Sequence, residues 1–170
     1  MVITPNHIYF LISYAVAFIA AGLAAKWYLW PAIARRDPKA ALTPLLLYAC
    51  LRVNGLMFLM PGIVSTGLPE TFARPVAYGD VTAVLLALCA LGALRHGLAL
   101  AIPAVWIFNI EGTADLLYAN VSTFKDHVDP VSLGTAYYLA VINVPVMIVV
   151  HVVIFVYLLG HRAHDERERS

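Results

Sequence analysis

The chain has 170 residues, of which 62% are hydrophobic and only 12% charged, with a mean hydropathy of +0.82. That composition excludes an ordinary soluble domain, and a formal net charge of +1 leaves no basic face for nucleic acid. The two cysteines, Cys50 and Cys89, both fall inside apolar runs, which reads as reduced, buried thiols and not as a disulfide framework or zinc site.

The first apolar run predicts a helix over residues 7–30, after a Thr4-Pro5 cap, and it is too long and lacks the basic start of a signal peptide. Ala17, Ala21 and Ala25 form a small-residue stripe suited either to a homo-oligomer or to internal packing, and Trp27, Tyr28 and Trp30 mark an interface. The next connection holds Arg35, Arg36 and Lys39 and is expected to stay cytoplasmic. Further helices are expected over 44–62, 76–94, 98–117 and 130–160, followed by a short cytoplasmic tail over 161–170. In that tail Arg162 with Glu166 and Asp165 with Arg169 suit a solvated helix.

The fold expected is thus an all-α integral membrane protein, a single five-transmembrane-helix bundle with its N-terminus outside and its C-terminus cytoplasmic. Lys26, Arg35, Arg36, Lys39, Arg95, Arg162, Arg167 and Arg169 fall on the expected cytoplasmic side, against Arg74 and Lys125 outside. Stretches such as FLMPGIV, VAYGD and FNIEGTADLLYA are broadly similar to uncharacterised bacterial multi-pass proteins. That similarity carries no activity, and it sets the expected location as a bacterial inner membrane.

Several polar residues stand where lipid-facing side chains would be apolar. Arg52 falls inside the second run and needs a partner, because a charge at mid-membrane costs about 2.5–3.5 kcal/mol on insertion scales. By counting residues from the cytoplasmic ends, Glu111 is its expected partner. Glu111, Asp115 and Tyr118 share one face of the fourth helix, Asn109 and Thr113 another, and Gly112 permits close approach. With Asp80, Asn54 and Asn143 they define an expected pocket in the outer half of the bundle, to which His151 could add a proton relay. Pro61, Pro103 and Pro145 read as helix interruptions.

One base against three acids, Asp80, Glu111 and Asp115, needs a compensating proton or cation. The leading expectation is therefore a small carrier, channel or receptor-like binding protein whose outer-half pocket binds a proton, a cation or a cationic small ligand. The alternatives are an accessory subunit, whose polar cluster fixes helix packing with a membrane-protein partner, and an intramembrane enzyme acting on a lipid or isoprenoid. The enzyme reading draws on His7, His127, Asp126, Asp129, Asp80 and Asp115, although DHVD matches no strong metal motif. A haem between His151 and His96 lacks a second ligand at matching depth, so no cofactor is expected.

Overall fold

The computed structural model describes residues 4–168, with side chains as far as His161. The readings placed on Arg162, Asp165, Glu166, Arg167 and Arg169 lie outside the described side chains. Among the described residues the chain is helical throughout, without a strand, and its long helices alternate in direction. They are α1 (Pro5–Ile33), α2 (Pro38–Leu59), α3 (Glu70–Arg95), α4 (Ala101–Lys125) and α5, which is a π turn over Leu139–Asn143 continued by an α-helix over Val144–Glu168. Four of these, α1, α2, α3 and α5, are long and apolar enough to cross a membrane. The fourth helix in order, α4, carries the polar residues singled out above and falls outside that group.

Helix boundaries differ from the expected ones for reasons that lie in the prolines. α2 starts at Pro38 and not near residue 44, because Asp37 caps it by accepting from Ala40 N at 3.0 Å, and Pro38 occupies the first turn, where no amide is missed. Pro44 and Pro75, which resemble boundaries, sit inside α2 and α3. Pro103 lies in the first turn of α4 and Pro61 follows the end of α2, so neither interrupts a helix. The π turns of α1 (Ala25–Leu29) and α5 (Leu139–Asn143) each end two residues before a proline, Pro31 and Pro145. A widened turn accommodates the ring where an α-helical carbonyl would clash with it. The segment expected to open the fifth helix is instead a 3₁₀ stretch, Pro130–Ala136, broken at Gly134 with φ 55°.

α3 lies centrally, packed against both α2 and α4, and α5 touches α1, α2 and α4. Ala83, Ala87 and Ala90 on α3 are fully buried, and their small size lets the neighbouring backbones approach. α1 is the least enclosed helix. Its half-buried residues, among them Phe10, Tyr14, Ala17 and Ala21, form one narrow seam toward α5, so the alanine stripe is used within the chain.

Beyond the helices, the two loops at one end clasp each other. Ser65 N donates to Ser132 O and Thr135 N to Ile63 O, both at 3.0 Å. Gly134 is required there, since its positive φ and the adjacent Ile63 carbonyl leave no room for a side chain.

Two apolar cores fill the bundle, and a polar layer separates them. Along α2 the order is Ala49 in one core, Arg52 and Gly55 in the layer, then Phe58 in the other core; along α3 it is Val76, then Gly79 and Asp80, then Ala83.

Candidate functional site

The layer is built on Arg52, which is 2% exposed and sits in a 3₁₀ stretch, Cys50–Leu59. A run of that length is uncommon. At three residues per turn, Arg52, Gly55 and Phe58 stack in a single row, and these are the buried residues of the segment. Asn54, expected in the pocket, is consequently turned outward and exposed.

Arg52 Nε donates to Asp80 Oδ1 at 2.7 Å, and Nη2 donates to Asp115 Oδ2. Nη1 donates to the Gly112 carbonyl at 3.0 Å and lies 3.3 Å from His151 Nε2. Nearly all the guanidinium N–H groups are thereby spent on α3, α4 and α5. Since Arg52 can only donate, His151 Nε2 must accept, which leaves the ring hydrogen on Nδ1 to donate to Asn109 Oδ1 at 2.7 Å. Asn109 Nδ2 returns a bond to His151 O at 3.1 Å, and the Phe108 ring stacks on the imidazole. His151 is thus a neutral, buried bridge at the centre of the layer.

Glycines make this convergence sterically feasible. A Cβ at Gly55 would collide with Asp80, one at Gly79 with Asp115, and one at Gly112 with both His151 and Arg52. Each charged side chain therefore lies against bare backbone on a neighbouring helix.

The expected pairing of Arg52 with Glu111 is corrected: the ion pairs of Arg52 are with Asp80 and Asp115. The reason is depth. With α2 starting at Pro38 and its last turns rising about 2.0 Å per residue, Arg52 lies about 23 Å from the helix start. Asp115 lies about 21 Å up α4 and Asp80 about 22 Å from the end of α3, whereas Glu111 is about 15 Å up α4, a turn and more too low. Glu111 is half-buried, and its Oε2 is buried without a hydrogen-bond partner.

Above the layer is a cavity of about 50 Å³, floored by Arg52, Asp80 and Asp115 and walled mainly by apolar side chains. Its polar walls are Tyr14, Asn120, Thr123 and Asn143. Tyr14 Oη donates to Asn120 Oδ1 at 2.9 Å and Tyr48 Oη to Asn143 Oδ1 at 3.2 Å, so both asparagines are held by tyrosines that sequence reasoning did not assign. The available signal for Tyr14 was its place on the seam of α1, in step with Phe10, Ala17 and Ala21. Thr113 is apart from the site, its hydroxyl donating to the Asn109 carbonyl at 2.6 Å.

Of the residues behind the enzyme reading, Asp80 and Asp115 meet at Arg52, and His7, His127 and Asp129 are engaged elsewhere. His7 Nδ1 accepts from Thr4 N at 3.3 Å, Asp129 accepts from Val131 N at 3.0 Å, and His127 forms the left-handed turn after α4 with φ 50°. Among the described residues no three His, Cys, Asp or Glu side chains form a metal-holding group. Of the cysteines, Cys50 is half-buried with its thiol on the Leu46 carbonyl, and Cys89, expected buried, is exposed on the outer face of α3.

Residues 9–159 match a family described as a domain of unknown function (DUF8737). The chain belongs to that family. The matched span encloses the polar layer and the polar cavity wall entire, from Tyr14 on α1 to His151 on α5, so the DUF8737 domain and the site coincide. No curated protein and no solved structure matches the chain.

Proposed function

We propose that this DUF8737 chain is a multi-pass membrane protein of five spans, acting as a small carrier or channel whose polar layer takes up a proton or a small cation. The observation that carries this reading is the charge balance of the layer: Asp80 and Asp115 share one guanidinium between two apolar cores, and about a turn below them one Glu111 oxygen is buried without a partner among the described residues. Two acids paired to Arg52 and a third left over require a compensating positive charge. The cavity limits what can supply it. About 50 Å³ holds a few waters or an ion and is well below the roughly 300 Å³ of a small-molecule site.

Five spans are supported by α4 itself. Its polar and small residues, Asn109, Gly112 and Ser122, are buried against its neighbours, while Ile107, Ile110, Leu117 and Val121 are exposed. Such a helix crosses lipid as part of a bundle, although its overall hydropathy is low. Arg36, Lys39 and Arg95 gather at one end of the bundle, which supports a cytoplasmic assignment for that end and an N-terminus outside. Exposed Trp27 and Tyr28 suit the interface of the same side.

The test is ion flux in liposomes containing the purified chain and a trapped pH-sensitive dye, under imposed proton, sodium and potassium gradients. Flux in the wild type that is lost in Asp115→Asn and Glu111→Gln, with the folded yield retained, is the expected result. Flux absent under every gradient, or undiminished in both variants, refutes the reading. A second reading is favoured by a separate observation, the four hydrogen bonds by which Arg52 ties α2 to α3, α4 and α5. Under it the layer only fixes helix packing in an accessory subunit, and the same variants would lose fold and not flux.

A further inference from the structure

We propose that the groove between the first turns of α2 and the last turns of α3 binds the headgroup phosphate of an anionic phospholipid. The groove is open to its surroundings and offers about 750 Å³, within the roughly 300–1,000 Å³ of ligand sites. Arg36, Lys39, Arg95 and His96 line its rim, and Leu47 and Leu91 line its wall. Among the described residues the one carboxylate lining the groove is Asp37, which caps α2 through Ala40 N, so the lining carries three cations against one acid.

The rim is held in place. Lys39 Nζ donates to the Arg95 carbonyl at 3.2 Å, which ties the start of α2 to the end of α3, and Tyr157 Oη donates to the Arg36 carbonyl at 2.8 Å from α5. Lys39 keeps further N–H groups for a ligand, and among the described residues Arg36 and Arg95 form no ion pair. The wall explains why a lipid and not a free anion is the occupant. Leu47 is 56% exposed, and with Leu91 it continues from the basic rim onto the apolar flank of two membrane-length helices, the track an acyl chain follows below a bound phosphate. Gly92 lies in the groove, and among the described residues a Cβ there would meet nothing within 4 Å, so the space beside it is open.

This inference rests on the membrane reading but not on the ion site. The experiment measures binding to the detergent-purified full chain by native mass spectrometry, with dioleoyl-phosphatidylglycerol, dioleoyl-phosphatidylcholine and inorganic phosphate as separate probes. Phosphatidylglycerol is expected to bind more tightly than phosphatidylcholine, and the Lys39→Gln/Arg95→Gln pair to weaken it about 30-fold, at about one kcal/mol per surface cation. Gly92→Leu, which fills the groove and leaves every charge, is expected to lower phosphatidylglycerol affinity as well. Equal binding of the two lipids, full competition by inorganic phosphate, or unchanged affinity in Gly92→Leu overturns the proposal. Absence of ion flux in liposomes bears on the polar layer alone and leaves these outcomes unchanged.

Discussion

Substituting alanine at Gly112 tests the polar layer at its tightest point. In an unconstrained helix the change stabilises by about 1 kcal/mol, because glycine is the poorer helix former. At this position the new Cβ would stand 2.6 Å from His151 Cε1 and 2.8 Å from Arg52 Nη1, neither of which is a free chain end. Relief by displacement costs about 1–3 kcal/mol as overpacking, and moving Arg52 off the Gly112 carbonyl or His151 sacrifices a charged hydrogen bond of about 1.5–3 kcal/mol. The net expectation is a destabilisation of about 2–5 kcal/mol. Gly92→Ala is the control, since its Cβ meets nothing and the helix gain of about 1 kcal/mol should appear undiminished. Equilibrium unfolding in mixed detergent micelles, followed by circular dichroism, reads both. If Gly112→Ala is as stable as wild type or more so, Arg52 and His151 do not converge on that backbone and the layer is wrongly constructed.

Arg52→Met should destabilise by about 3–5 kcal/mol by leaving Asp80 and Asp115 without their cation, and much of that loss should return in Arg52→Met/Asp80→Asn/Asp115→Asn, as a cycle of unfolding measurements would show. Asp37→Ala should cost about 0.5–2 kcal/mol through loss of the α2 cap, with faster amide exchange confined to the first turn of α2. Gly134→Ala places a side chain at φ 55° against the Ile63 carbonyl and should cost about 1–3 kcal/mol, with protease cutting in the 60–69 loop as the local readout.

The apolar runs, the turns between them and the polar character of the stretch from Val105 to Asn120 were legible because hydropathy reports burial in lipid directly. Arg52, Asp80, Asp115, Asn109 and His151 could all be singled out, since each is a costly residue in an apolar run. Their pairing was not legible. Partner choice depended on relative height, which depended in turn on whether Pro38 or Pro44 opens α2 and on a 3₁₀ stretch that hydropathy does not register. The three-residue spacing of Leu46, Ala49, Arg52, Gly55 and Phe58, all buried, is that stretch's trace in the chain, but without the structure it is one periodicity among several. Tyr14 and Tyr48 escaped notice because a tyrosine in an apolar run reads as ordinary packing or an interface anchor.

The bonds that hold Arg52 also impose an order on synthesis. Asp80 follows Arg52 by 28 residues and Asp115 by 63, so in a growing chain the arginine is synthesised before either carboxylate. At about 5–20 residues per second, about 3 to 13 s separate Arg52 from Asp115. Under the five-span reading, α2 in lipid without those carboxylates carries an insertion penalty of about 2.5–3.5 kcal/mol for an uncompensated arginine. A released chain that ends between α2 and α3 should therefore, under the five-span reading, hold α2 loosely in lipid, and extending it through Asp80 on α3 should hold that helix more firmly.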